Sequence, residues 1–343
     1  MELTKNHIML RMVLKILKWI GLSITSLLLL LILVGLGFRL FRDKPVPPGK
    51  LVDIGGFKLH VHSTGEKNEK PTLVIEAGAG GHSEYYHWLS EGLKDSLRVV
   101  RYDRAGIGYS ELSDGPRDPE TIADELHTLL EKTGESPPYI LAGHSHGGHY
   151  IRVFGQRYPN EVAGLVLLDS GHPDERERLP WPPSPSWLNS IYYIGAVLGD
   201  LGVLDLYVTI FGNTIMPAPG LPKEITDRYQ DYFLNGKYLW GYIKEEEWHI
   251  ALEEMSKKIM VTDSLPIRIF AGTHLNEKAL RKMGRDPEKM RTNRRKMQEE
   301  MASFSKNGKV FFMDGGHFTI FIQKENADMI CKEIIQFSKE LKN

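Results

Sequence analysis

The run Gly143-His144-Ser145-His146-Gly147, followed by Gly148, sets one hydroxyl between an apolar stretch, Tyr139 to Ala142, and a segment with helical spacing. A strand that turns abruptly into a helix forces the corner residue into a strained backbone, and flanking glycines avoid collisions with neighbouring elements. The pattern is the G-x-S-x-G of a nucleophile elbow. At such a corner Ser145 stands at a helix N-terminus, where the dipole and unpaired N–H groups favour developing negative charge. That suits attack on an acyl carbon, with an alkoxide and then an oxyanion to stabilise. Glycine-rich turns of this kind also occur without catalysis, so the reading needs a base. His317, in Phe312-Met313-Asp314-Gly315-Gly316-His317-Phe318, follows the last apolar strand, precedes the last helix, and is the candidate.

The positioning elements are legible as apolar runs bounded by turn residues: TLVIEAG from Thr72, LRVVRYD from Leu97, YILAGHS from Tyr139, GLVLLDS from Gly164, IRIFAG from Ile267 and KVFFMD from Lys309. Continuous rather than alternating apolarity predicts strands buried on both faces. Leu51 to Thr64 predicts a hairpin around Gly55-Gly56, with Phe57, Leu59 and Val61 on one face and Lys58, His60 and His62 on a wet one. Between the runs lie helical patterns. One opens with Asp118 as N-cap and Pro119 at the first position and carries Ile122, Leu126, Leu129 and Leu130; another runs from Gly147 through Tyr150, Ile151 and Phe154 to a stop near Pro159. This alternation predicts an α/β fold, a mostly parallel sheet covered on both faces with an antiparallel hairpin at one edge. Ligand chemistry then belongs at the C-terminal strand ends. The interval 171–265 breaks the rhythm and reads as a helical cap insertion, leaving 51–170 and 266–343 as the core. The stretch from Leu275 to Ser303 is very charged and predicts a solvated helix or helix pair. The proline cluster Pro180 to Pro185 is the one short low-complexity segment.

With the nucleophile after a middle strand and the histidine after the last, the chain over residues 50 to 343 resembles the α/β-hydrolase superfamily, of the serine hydrolase type. Tyr102-Asp103-Arg104-Ala105-Gly106-Ile107-Gly108-Tyr109-Ser110 is similar to that family's D-R-x-G-x-G-x-S turn. The resemblance implies the α/β-hydrolase fold with a cap inserted after the sixth strand. It implies an oxyanion hole from the N–H of His146 and of Ala79, in the loop Gly78-Ala79-Gly80-Gly81. Glu76, just before that loop, orients it or is a solvated carboxylate. For the acid, the commonest family position falls in Gly272-Thr273-His274-Leu275-Asn276-Glu277, which has no Asp. The other family position, at the end of the preceding strand, is Asp169, the expected acid; Glu277 is the alternative, with Asp263 and Asp314 behind it. Either location presents a carboxylate to the imidazole.

His144, His146 and His149 form H-x-H-x-x-H, with His82 and His87 as possible additions to a metal cluster. A strand-turn-helix path sends those side chains in different directions, so no metal is expected. No dinucleotide glycine fingerprint is present and no cofactor is expected. Cys331, the single cysteine, excludes an internal disulfide and reads as a packing residue.

From Trp19 to Phe38 the chain carries no charge, enough to match a bilayer core, which predicts a single-pass anchor at 19–38 after a basic segment at 1–18. A cleaved signal peptide and a buried helix are the competing readings. The proline-containing linker 39–50 predicts an extended stalk. Basic residues flank the span on both sides, and an extracytoplasmic catalytic domain is the expectation. The 343 residues carry 43 basic and 44 acidic side chains, which offers no cation field for nucleic acid. These readings together predict a membrane-anchored hydrolase that cleaves a carboxylic ester or related acyl compound, its substrate small and hydrophobic, with no expectation about protein partners. A serine at the elbow argues against dehalogenase and epoxide hydrolase chemistry, whose family members use aspartate. Peptidase, thioesterase, acyltransferase and lyase chemistries share the triad, and a non-catalytic binding protein on the same scaffold is the reading from another class.

Overall fold

The computed structural model describes residues 2–179, 186–212, 218–233, 235–259 and 264–341. The proline cluster and Asp263 lie outside these residues. Eight strands form one sheet: β1 (Lys50–Asp53), β2 (Lys58–Thr64), β3 (Thr72–Glu76), β4 (Val99–Asp103), β5 (Tyr139–His144), β6 (Val162–Leu168), β7 (Ile267–Gly272) and β8 (Gly308–Met313). Their spatial order is β1-β2-β4-β3-β5-β6-β7-β8. β2 pairs antiparallel with β1 and β4, and every other pairing is parallel. The runs expected to be buried on both faces are so in β3, β4 and β5.

The helices α1 (Glu2–Phe41), α2 (His87–Leu93), α3 (Pro119–Lys132) and α4 (Gly147–Arg157) precede β6. Between β6 and β7 come α5 (Glu175–Arg178), α6 (Ser186–Asp200), α7 (Val203–Phe211), α8 (Lys223–Gln230), α9 (Gly236–Glu246) and α10 (His249–Lys258), with no strand among the described residues. α11 (Glu277–Lys282) and α12 (Pro287–Ala302) precede β8, and α13 (Thr319–Ile322) and α14 (Lys324–Glu340) follow it. Asp118 caps α3 as expected, its Oδ1 accepting from the Thr121 N–H at 2.9 Å, with Pro119 in the first turn. Two apolar cores result. On one face, Leu89, Leu93, Ile330, Ile334 and Phe337 pack on the sheet together with Tyr229, Leu239 and Ile243 from the insertion, so the inserted helices share the main core. On the other face lie Ile122, Leu126, Ile151 and Phe154. Cys331 is buried and unpaired, in contact with the Leu89 carbonyl.

Three local expectations change. His60 is not on a wet face: β2 is flanked by two strands, and the turn after β4 covers it, with Ser110 Oγ accepting from the His60 N–H and Tyr109 edge-on to its ring. The charged 275–303 stretch is a helix pair but not simply solvated, because Met290, Met297, Gln298 and Met301 of α12 are buried. The 39–50 linker is not a free stalk, because its polar groups find partners on the insertion. Arg42 pairs with Asp231, Lys44 lies 4.0 Å from Asp205, and the Pro45 carbonyl accepts from Tyr232 Oη.

α1 continues N-terminally through the basic segment, which contains no Gly or Pro to break the helix. Met9–Phe41 is long and apolar enough to cross a membrane and is almost wholly exposed; a signal sequence has the same character.

Candidate active site

β5 delivers the chain to the sheet's C-terminal edge and α4 takes it away within three residues. Ser145, at the corner, has φ 52°. The flanking glycines are required sterically. A Cβ at Gly143 would fall 2.5 Å from the Gly147 carbonyl oxygen, and one at Gly147 would fall 2.4 Å from that of Glu76. Across the site, Asp169 follows β6 with φ 41°, so the expected nucleophile and the expected acid are the two non-glycine residues with positive φ among the described residues. Such conformations cost about 1–3 kcal/mol each and cluster where function holds them.

His317 lies in the loop after β8. Its Nδ1 is 2.7 Å from Asp169 Oδ2, so the ring donates to the carboxylate and turns Nε2 the other way. The loop is held by Thr319 Oγ1, which accepts from the Gly316 N–H, and by His144, whose buried Nε2–H donates to the His317 carbonyl at 3.0 Å. Among the described residues no hydrogen bond joins Ser145 Oγ to this ring; such contacts commonly tighten when substrate binds. Asp169 is buried and fully engaged. Its Oδ1 accepts from the Gly272 N–H at 2.9 Å, and its Oδ2 also accepts from Arg294 Nη2 at 2.7 Å. Burial alone would raise this carboxyl; the His317 hydrogen bond and the Arg294 charge outweigh it and hold the group well below the usual carboxylate range.

The alternative acids are elsewhere. Glu277 sits in the first turn of α11, after the Asn276 cap, and is drawn outward by Arg291 and Arg281, which lower its carboxyl. Asp314 is exposed and pairs with His274.

The loop after β3 packs directly on the elbow. Gly81 N–H closes a turn on the Gly78 carbonyl at 2.9 Å, and a Cβ on Gly78 would fall 3.1 Å from Ser145 Cβ. Ala79, between them, is exposed at this turn. Arg104 holds the loop from beneath, donating to the carbonyls of Ala77 and Gly78, both at 2.7 Å. The same guanidinium pairs with Glu76 and, at 2.7 Å, with Glu245 of α9. Glu76 is therefore buried rather than solvated, which raises its carboxyl despite Arg104, and it acts on the loop through that arginine. From above, Tyr238 of α9 donates to the Gly80 carbonyl at 3.1 Å.

The elbow histidines take different partners, but they do not all diverge, since the His146 and His149 ring centroids lie 6.1 Å apart. His144 packs against His317 and Phe321, the His146 ring faces His249, and His149 meets Ser256 Oγ at 2.8 Å. Burial lowers all three, His146 to about 4, so they are neutral near pH 7. His82 is buried against Tyr109 and Asp103, away from the elbow. Among the described residues there is no His/Cys/Asp/Glu group fit to hold a metal.

Arg294 and His144 were not legible as site residues. Arg294 is one of many cations on a charged helix and meets Asp169 only through the fold, while His144 stands at a variable position of the elbow motif, where nothing marks its hydrogen bond to the His317 carbonyl. Arg294 shares the oxygen that receives His317, and its charge helps to hold the Asp169 carboxyl down. Arg294→Gln is therefore expected to raise that carboxyl and to move the acid loss of stability to higher pH. Thermal unfolding followed from neutral to acid pH checks this; an unmoved acid limb leaves Arg294 a packing residue only.

A family model described as the alpha/beta hydrolase fold matches residues 71–322. The chain belongs to this family. An uncharacterized protein of Bacillus subtilis, YbdG, is 32% identical over 168 residues, covering 47% of this chain and 51% of that one. The (lyso)-N-acylphosphatidylethanolamine lipase of Homo sapiens is 32% identical over 148 residues, covering 40% of this chain and 42% of the lipase. These matches thus span about half the length of either relative, or less. Among solved structures, a thermophilic esterase from Thermogutta terrifontis is similar with TM-score 0.54 and 19% identity, over 82% of this chain and 94% of the esterase. That likeness is one of fold.

Proposed function

We propose that this chain is a membrane-anchored serine hydrolase that cleaves a carboxylic ester or related acyl compound through an acyl-enzyme. What supports the reading most is the convergence of an elbow serine at φ 52° with a histidine bonded at 2.7 Å to a buried carboxylate that itself has positive φ. Ser145 Oγ attacks the acyl carbon while His317 Nε2 takes its proton, and Asp169 stabilises the resulting imidazolium. The tetrahedral oxyanion accepts from the N–H groups of His146 and Ala79. Collapse breaks the bond to the leaving alkoxide, which receives the proton from His317. Water, deprotonated by the same imidazole, then attacks the acyl-enzyme and frees Ser145.

Residues 171–265 act as the cap. Tyr238 and Tyr242 of α9 lie over Gly80, where a Cβ would fall 2.6 Å from the Tyr238 hydroxyl and 2.9 Å from the Tyr242 ring. An aromatic roof beside the oxyanion loop, an apolar anchor and a lipase among the relatives favour a hydrophobic, lipid-derived acyl substrate. A p-nitrophenyl ester series from acetate to palmitate, run with and without detergent micelles, tests the substrate class. Activity is expected to rise with chain length and to depend on micelles. Efficient turnover of short soluble esters, none of long ones and no detergent dependence would overturn it.

A further inference from the structure

We infer that the corner formed by α6 and α7 seats its apolar face in the same bilayer leaflet as the C-terminal end of α1; this rests on α1 being a retained anchor, as proposed above. The two helices meet at 89°. At 15 and 9 residues they rise only about 22 and 14 Å, too short for either to cross a bilayer core of about 30 Å.

Where this corner sits is set by backbone contact with α1. Gly202, between the two helices, has φ 74°, and a Cβ there would fall 2.1 Å from the Gly35 carbonyl oxygen of α1. Arg39 of α1 donates to the carbonyls of Gly199 and Asp200, at 3.1 and 2.7 Å, which end α6. The corner is thereby fixed beside the last turns of the apolar span, at the level where α1 leaves the hydrocarbon.

The surface presented there is apolar. Trp187, Ile191 and Ile194 form a stripe on α6, and Tyr207, Ile210 and Phe211 one on α7, each at least 46% exposed. The stripes carry no charge. Asp200 is tied to Arg39 and to Trp240 Nε1, and Asp205 is buried near Lys44. A cleft lined by Arg42, Asp227, Arg228 and Asp231 and, from α7, by Val208 and Thr209 lies where the chain leaves α1, so lipid headgroups and water would meet those charges beside the apolar helix. Exposed apolar stripes beside the last turns of the span, with charges where the chain leaves it, match the layering of a monolayer interface and favour lipid over a protein partner as the occupant.

The consequence reaches the site. A Cβ on Gly199 of α6 would fall 2.3 Å from the Gly236 nitrogen at the start of α9, and α9 supplies Tyr238 and Glu245 to the oxyanion loop. A corner seated in lipid therefore places the site's roof at the leaflet, and acyl substrate enters from the membrane.

The full chain, reconstituted in phosphatidylcholine vesicles, tests this with an environment-sensitive fluorophore on Ile194→Cys or Ile210→Cys. Leu28→Cys serves as the reference in the span, Lys289→Cys as the reference in water, and the parent, whose Cys331 is buried, as the blank. Both replaced isoleucines are exposed, so folding is preserved. Spin-labelled phosphatidylcholine is expected to quench positions 194 and 210 to at least half the extent seen at 28, with blue-shifted emission. Quenching at 28 but a response at 194 and 210 equal to that at 289 overturns the inference and leaves the anchor standing. Shielding without lipid quenching, growing with protein density, assigns the face to a second copy and overturns it as well. No quenching at 28 removes the anchor reading and the inference with it.

Discussion

Replacement of Ser145 by alanine is expected to lower kcat by about 10⁵- to 10⁶-fold while leaving the fold intact. The substitution removes one oxygen and leaves the Cβ, so the steric demands at φ 52° are unchanged and the glycines at 143 and 147 still clear the corner. In the proposed mechanism the loss is large because attack, proton transfer and formation of the oxyanion all depend on that oxygen. His317→Ala is expected to cost a similar factor, and the double variant scarcely more than either alone, because the pair acts as one unit. Rates on a chromogenic ester, with circular dichroism as the folding control, check this. Additive losses would mean that the two residues do not share a step.

Asp169→Asn is the second large effect, about 10⁴-fold in kcat. The carboxylate accepts from three donors: the Gly272 N–H on Oδ1, and both His317 Nδ1 and Arg294 Nη2 on Oδ2. An asparagine has one accepting oxygen. If that oxygen stays with Gly272, an NH₂ faces both His317 and Arg294, and the imidazole must take the tautomer that leaves Nε2 protonated and unable to accept the serine proton. Reversing the amide leaves the Gly272 N–H facing a donor instead. Glu277→Gln, on the outward face of α11, is expected to leave kcat unchanged. Comparable losses in the two variants, or a loss at Glu277 alone, would move the acid. Stability follows the same carboxylate. Because Asp169 is held below its ordinary value, its contribution is fully present above about pH 4 and is lost as pH falls through the depressed folded value.

What could be read in the sequence was local chemistry with a fixed backbone demand. The elbow is such a case, since strand, glycine, serine and glycine must be contiguous, and the histidine after the last strand follows from chain order. Asp169 is the expected acid only through the family resemblance, with Glu277, Asp263 and Asp314 as alternatives; its hydrogen bond to His317 is formed only in the fold. Arg294 was hidden because its partner lies 125 positions away and its helix is crowded with other cations. Glu76 and Arg104 stand out in the sequence, one beside the loop and one in the turn after β4, but their meeting with each other and with Glu245 of α9 arises only in the folded core. The alternation in β2 predicts one wet face for His60, whereas β2 is an internal strand with a turn folded over it. The linker looked like a stalk because the carboxylates that hold it are supplied by the insertion.

Whether Ser145 is an activated nucleophile is tested most directly by reaction of the 343-residue protein with a fluorophosphonate, mapped by peptide mass. Ser145→Ala and heat-denatured protein are the controls. Stoichiometric labelling confined to Ser145, absent from both controls, is the result expected of a serine whose base and oxyanion donors are in place. Folded protein that stays unlabelled, or is labelled equally after denaturation, would contradict the account and return the chain to the class of ligand-binding proteins on a hydrolase scaffold.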